Sequence, residues 1–224
     1  NCTEHAVKLS REAEKLGADA LLQVTPYYNK ASQEGLVRHF TQVADHVSIP
    51  ILLYNVPSRT GVTIQPETYR ILSEHPNIRG TKEASGNLSL IARTAALCGQ
   101  GFDIYSGNDD QTVPIMSLGG KGVVSVLANI MPKETHKMCR LYLDGDVKES
   151  RRMQLQLLEI MEALFWDVNP IPVKTALGLM GVCGDDLRLP LTPMEPEQRE
   201  RLAEVMKRQG ISLKKELHNQ TNLL

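Results

Sequence analysis

Arg79-Gly80-Thr81-Lys82-Glu83-Ala84-Ser85-Gly86-Asn87 closes a short apolar run, Asn77-Ile78-Arg79-Gly80-Thr81, and opens a segment that Asn87 can cap as a helix. That order of strand, loop and helix puts Lys82 at the C-terminal end of a strand, where a (β/α) barrel carries its chemistry. An amine there becomes a nucleophile when desolvation or a nearby cation lowers its pKa, and it then forms Schiff bases with keto acids. A lone strand-end lysine is more often a surface group. Here two earlier apolar runs end in comparable blocks, Tyr27-Tyr28 and Tyr54-Asn55-Val56-Pro57-Ser58-Arg59-Thr60-Gly61.

Working outward from Lys82, strand-like and helical patterns alternate with short connections. Strands are predicted at 18–25, 49–54, 78–82, 102–106 and 122–127, and helices at 4–16, 33–46, 66–74, 88–97 and 109–118. Asn1 and Thr3 read as caps of the first helix, which Gly17 ends. Strands separated by helices of this length argue for βαβ units and a parallel sheet, an α/β fold. After residue 130 the pattern is purely helical, with predicted helices at 132–143, 147–166, 172–180 and 196–209. The organisation expected is a partial barrel over 1–130, a C-terminal helical appendage over 131–210 and a frayed tail over 211–224.

The chain has 224 residues, 42% of them hydrophobic, enough for one sizeable core. Lys and Arg number 25 against 26 Asp and Glu, so no basic field invites nucleic acid. No apolar stretch approaches the roughly 18 residues a membrane helix needs, and no secretory signal opens the chain. Cys2, Cys98, Cys139 and Cys183 lie far apart with no Cys-x-x-Cys, the pattern of reduced thiols in a cytoplasmic protein. Neither metal nor separate cofactor is expected. Gly119-Gly120-Lys121-Gly122 precedes a strand and reads as a turn, and Asp109-Asp110 reads as a helix cap. Surface roles are expected for most of the scattered histidines.

Four blocks in order carry a specific resemblance: Val24-Thr25-Pro26-Tyr27-Tyr28-Asn29, the Tyr54–Gly61 block, Gly80-Thr81-Lys82-Glu83-Ala84, and Asn169-Pro170-Ile171-Pro172-Val173-Lys174. Together they resemble the dihydrodipicolinate synthase family, with the likeness running to about residue 209. The resemblance implies a TIM (β/α)8 barrel, here incomplete, with strands four to eight present and the first three and their helices absent. It implies a lyase of lysine and diaminopimelate biosynthesis that condenses pyruvate with L-aspartate 4-semialdehyde in a homo-oligomer. On that reading Lys82 carries the covalent Schiff base, Tyr54 relays protons, and Tyr28 is lent to a neighbouring subunit's site. Arg59 binds the semialdehyde carboxylate, while Gly107 and Val124 shape the pyruvate pocket. Asn1, His5 and Tyr27 match the family's lysine-inhibition site, with His5 standing where sensitive relatives have glutamate, so inhibition by lysine is expected to be absent. The family's relay threonine has no counterpart here, since Thr25, Thr60 and Thr81 belong to different strand ends.

Two alternatives stay open. One is an N-acetylneuraminate lyase-type aldolase of the same superfamily, against which Arg59 argues. The other is a folded but inactive fragment that self-associates, because a partial barrel would expose apolar positions such as Leu21, Leu52, Ile78 and Val124 together with two sheet edges.

Overall fold

A computed structural model describes residues 1–214 and divides the chain into two compact units, Asn1–Ser125 and Val126–Leu224. The first unit opens with helix α1 (Thr3–Lys15), then strand β1 (Leu21–Val24), α2 (Gln33–Ala44), β2 (Ile51–Asn55), a single turn α3 (Pro57–Thr60) and α4 (Pro66–Ser73). It continues with β3 (Ile78–Glu83), α5 (Leu88–Cys98), β4 (Asp103–Ser106), α6 (Thr112–Ser117) and β5 (Gly122–Val123). The strands form one parallel sheet in the order β1-β2-β3-β4-β5, each joined to the next through a helix-containing crossover.

The core lies between that sheet and its helices. Leu21, Ile51, Leu53, Ile78 and Ile104 project from one face onto Leu36, Phe40, Val43, Tyr69, Leu72 and Ile91 of α2, α4 and α5. Side chains alternate along a strand, so the other face carries Leu22, Val24, Tyr54 and Lys82, all at least partly exposed. Two of the four positions expected to be left open are covered instead. Leu21 and Ile78 are buried under helices, whereas Val124 is exposed and Leu52 partly so, as expected, and Leu22 and Val24 are exposed beside them. When both faces of a strand are apolar, the sequence does not say which one the helices cover.

Several boundaries also differ. The N-cap of α1 is Cys2, whose side chain makes no capping bond, and the Thr3 hydroxyl instead pairs with Nδ1 of His39 at 2.9 Å. His39 is buried edge-on to Phe40, and burial lowers its pKa; it is a core histidine, while His5, His46 and His136 are exposed. The loop 109–111 is a tight 3-10 turn rather than the start of α6, and β5 ends at Val123, followed by a second such turn at Leu127–Asn129. In the glycine-rich turn, Gly119 has φ 95° and Gly122 φ 149°, the backbone freedom that a reversal into β5 requires.

Beyond the 3-10 turn at Leu127–Asn129, the regular elements of the second unit's described residues are all helices: α7 (Pro132–Leu143), α8 (Val147–Gln156), α9 (Leu158–Ala163), α10 (Ile171–Met180) and α11 (Pro196–Arg208). The single helix expected over 147–166 is two, with Leu157 at their junction. The start of the tail is tied down, because Ile211 N–H donates to Met206 and Lys214 N–H to Leu179 carbonyl oxygen. The remainder of the expected tail, 215–224, lies outside the described residues. Among the described residues no helix is long and apolar enough to cross a membrane. No disulfide joins any of the four cysteines.

Candidate active site

The register of the sheet sets one row across all five strands: Val24, Tyr54, Lys82, Tyr105 and Gly122. Residues on such a row share a face, so β3 presents Lys82 between two phenols on the side away from the core helices. Lys82 is the fifth residue of β3, which runs one residue beyond the expected 78–82, and it is half-buried. Its Nζ stands 4.2 Å from the centroid of the Tyr54 ring, a cation–π distance. Burial lowers the amine's pKa, the Asp109 carboxylate pulls it back up, and the Arg59 guanidinium lowers it again. The Tyr54 hydroxyl is held above the usual phenol range by burial, with Arg59 opposing.

Arg59 reaches this neighbourhood because the chain turns sharply after β2. Pro57 sits in the first turn of α3, Gly61 closes it at φ 70°, and the Thr60 hydroxyl donates to the carbonyls of Val56 and Val62. That short helix puts the guanidinium within electrostatic range of both Tyr54 and Lys82.

Gly107 packs on the lysine itself. A Cβ there would come within 2.7 Å of Ala84 Cβ and 3.2 Å of Lys82 Cγ, so only glycine lets the chain after β4 lie against the lysine stem. Its N–H donates to the Glu83 carbonyl at 2.8 Å, and Val124 N–H donates to the Ser106 carbonyl at 2.8 Å, which extends the sheet past β5.

The remaining expected residues lie elsewhere. Tyr27 and Tyr28 sit in the loop after β1, both exposed, and Tyr28 holds φ 73°, a left-handed backbone that is uncommon for an aromatic residue. Asn1 and His5 are exposed at the start of the chain and on α1. None of these four stands on the Lys82 row.

Behind Lys82, on the helix-covered face, is a polar network that motif reading missed. Glu83 accepts from Asn55 Nδ2 at 3.1 Å on each oxygen, from Tyr69 OH at 3.0 Å and from Ser85 N–H at 2.8 Å. Thr81 Oγ1 lies 3.1 Å from Tyr69 OH and donates to Leu53 carbonyl, so this threonine faces away from the lysine. Asn55 also accepts from Ile64 N–H. Burial raises the Glu83 pKa against those hydrogen bonds, and burial with the Glu83 charge raises Tyr69 well above its usual range. Two more residues were missed. Tyr105 flanks Lys82 opposite Tyr54, a pairing that appears only once the strand register is known. Asp109, expected to cap a helix, is instead buried, while Asn108 occupies the N-cap of the 3-10 turn. Among the described residues no group of three or more His, Cys, Asp or Glu side chains is arranged to hold a metal ion.

A sequence profile described as the Dihydrodipicolinate synthetase family matches residues 1–209. The 4-hydroxy-tetrahydrodipicolinate synthase of Caldicellulosiruptor bescii is 55% identical over 214 residues, which are 96% of this chain and 72% of the relative. Among solved structures, dihydrodipicolinate synthase from Aquifex aeolicus superposes with TM-score 0.93 at 44% identity, covering 96% of this chain and 73% of that one. The chloride-inhibited dihydrodipicolinate synthase of Acinetobacter baumannii complexed with pyruvate gives TM-score 0.91 at 40% identity, covering 94% and 72%.

Proposed function

Because the chain belongs to the dihydrodipicolinate synthetase family, we propose that it catalyses the 4-hydroxy-tetrahydrodipicolinate synthase reaction, joining pyruvate to L-aspartate 4-semialdehyde through a Schiff base on Lys82. The observation that carries this reading is the Lys82 environment: a half-buried amine with its pKa lowered, over a tyrosine ring and against a glycine. The neutral amine adds to the ketone carbon of pyruvate. The carbinolamine takes up a proton and loses water, leaving an iminium on Nζ. Loss of a methyl proton then gives the enamine that attacks the semialdehyde's aldehyde carbon.

Tyr54 is the proton carrier for these steps, since its ring already lies against Nζ and its hydroxyl retains its proton. Arg59 is the carboxylate anchor, a fork of donors suited to bidentate recognition. That arginine favours the semialdehyde over the polyol tail of a sugar acid, and so disfavours the lyase alternative. Gly107 and Val124 bound the pyruvate pocket, and a pyruvate complex is known for the Acinetobacter baumannii relative. No separate cofactor or metal takes part, because the iminium is itself the electron sink.

The sheet corresponds to strands four to eight of the family's barrel, in keeping with its five parallel strands in sequential order. A homo-oligomer is the working form. Tyr28, 88% exposed and held at positive φ, is the group it lends to a neighbouring subunit; such a backbone costs on the order of 1–3 kcal/mol and is kept where it serves a site. Asn1, His5 and Tyr27 are what this chain retains of a lysine-inhibition site, inactive for want of an acidic group at His5. The cytoplasm is its compartment.

The test is reductive trapping. Borohydride with pyruvate should add mass to the peptide that contains Lys82, and an adduct mapping to any other lysine refutes the assignment.

A further inference from the structure

Asn55 follows Tyr54 on β2, and in the sheet register it pairs with Glu83, the residue after Lys82. It is fully buried, and different parts of the chain satisfy the two ends of its carboxamide. Nδ2 donates to both Glu83 oxygens at 3.1 Å, which ties β2 to β3 one residue beyond the Tyr54–Lys82 pair. Oδ1 accepts from Ile64 N–H at 3.1 Å and closes the segment that runs from β2 through α3 and Arg59. The main chain adds a third tie, since the Asn55 carbonyl accepts from Ala84 N–H at 2.9 Å. A backbone N–H can only donate and a carboxylate can only accept, so the side chain between them needs both an acceptor and a donor. Aspartate, when ionised, would set a second carboxylate against Glu83, and leucine offers neither group.

We infer that Asn55 is a positioning residue that sets the reach from Lys82 to Arg59, holding the strand of the proposed nucleophile and the segment of the proposed carboxylate anchor in one frame. The inference deepens the proposed reaction and rests on it. An enamine on Nζ meets the aldehyde carbon of the semialdehyde only if Arg59 holds the carboxylate at a fixed distance from Lys82. Condensation with pyruvate needs Lys82 and not that distance, so a loosened Arg59 segment should largely spare it. Gln33 of α2 brackets the same point, donating to the Thr63 carbonyl at 2.9 Å and accepting from Gln65 N–H at 3.0 Å. Without the Asn55 side chain the segment therefore keeps its attachment to the helix layer and loses its attachment to β3.

The test is a double-mutant cycle in the full chain. Asn55→Ala should raise KM for the semialdehyde about tenfold, part of the loss that follows removal of a charge-assisted contact. Borohydride trapping of pyruvate on Lys82 should fall far less. In an Arg59→Ala background, Asn55→Ala should add no further rise in KM. Full additivity of the two substitutions, or an equal loss for pyruvate, overturns the proposal and leaves Asn55 a packing element. If the alanine variant does not fold, Asn55→Ser takes its place in the cycle, since its shorter side chain cannot span both partners; failure of both to fold also overturns the proposal. A second readout needs no substrate. Amide exchange of the peptide containing Ile64 should quicken about tenfold in Asn55→Ala and keep the parent's rate in Arg59→Ala. Unchanged exchange in folded Asn55→Ala overturns the proposal. If the parent chain neither traps pyruvate nor consumes the semialdehyde, the proposed reaction fails, while the exchange rate still decides whether Asn55 holds the Arg59 segment to the Lys82 strand.

Discussion

Lys82 and Glu83 are consecutive residues of one strand with opposite surroundings. Glu83 is 1% exposed, and Asn55, Tyr69 and Ser85 supply donors to both its oxygens. Lys82 is half-buried on the row of Tyr54 and Tyr105, where its charge meets a ring face and the distant influence of Arg59 and Asp109. Burial works against the charge of each, raising one pKa and lowering the other. The difference is in compensation: one side of β3 satisfies its charge and becomes rigid, while the other leaves its charge poised. Strand alternation lets rigidity and reactivity sit one residue apart, so the backbone that carries the proposed nucleophile is fastened from behind.

The largest effect expected is on the reactive side alone. Lys82→Ala should abolish the borohydride-trapped pyruvate adduct while leaving the denaturation midpoint near that of the parent, since a half-exposed amine contributes little to the core. A variant that still traps pyruvate elsewhere, or that unfolds, would erase the contrast. The fastened side should answer in the reverse sense. Glu83→Ala leaves the Tyr69 hydroxyl, the Asn55 amide and the Ser85 N–H without their acceptor, at about 3–5 kcal/mol for the group. Urea denaturation measures that loss, and a value under about 1 kcal/mol would mean that water replaces the carboxylate and that the network is not the fastening.

Arg59→Ala sharpens the comparison by asking whether the open side is tuned for its substrates. Loss of a charge-assisted contact, roughly 1.5–3 kcal/mol, corresponds to a tenfold to hundredfold rise in KM for the semialdehyde. Pyruvate affinity should change far less. Equal losses for the two would show that Arg59 supports the pocket instead of binding one substrate.

Most of the open side was legible before the fold was known, and little of the closed side was. Lys82 and Tyr54 stand one residue before the ends of their strands, Arg59 lies in the turn of helix after β2 and Gly107 directly follows β4, so contiguous stretches of sequence carry them. Glu83 stands in the same motif as Lys82, but its partners come from β2, α4 and the following loop, and only the tertiary arrangement assembles them. Tyr105 needed the register, and Asp109 needed its burial, which a run of acidic residues at a turn does not reveal. The five strands and the helical second half followed from periodicity, whereas the break at Leu157 and the short β5 did not, because apolar periodicity continues through both. Which face of β1 the helices cover was likewise beyond the sequence, since Leu21 and Leu22 are equally apolar.

The smallest effect is a pH dependence that only the fastened side should produce. Glu83 has a higher pKa folded than unfolded, so the folded state binds its proton more tightly. By linkage its contribution to stability is fully present below the unfolded value, about pH 4.3, and is lost as pH rises through the folded value. Glu83→Gln removes that titration but keeps only one acceptor oxygen: Tyr69 and Ser85 donate to different oxygens of Glu83, so the amide NH2 takes the place of one acceptor, at about 1–2 kcal/mol. The gap between parent and variant should therefore vary with pH, narrowing as the pH rises from 4 toward neutrality, because only the parent bears the cost of ionising in the core. Urea midpoints for both chains at pH 4.5 and 7 measure this directly. A gap independent of pH would mean that the hydrogen bonds to Glu83 fully offset its burial, and the raised pKa would then have no energetic counterpart.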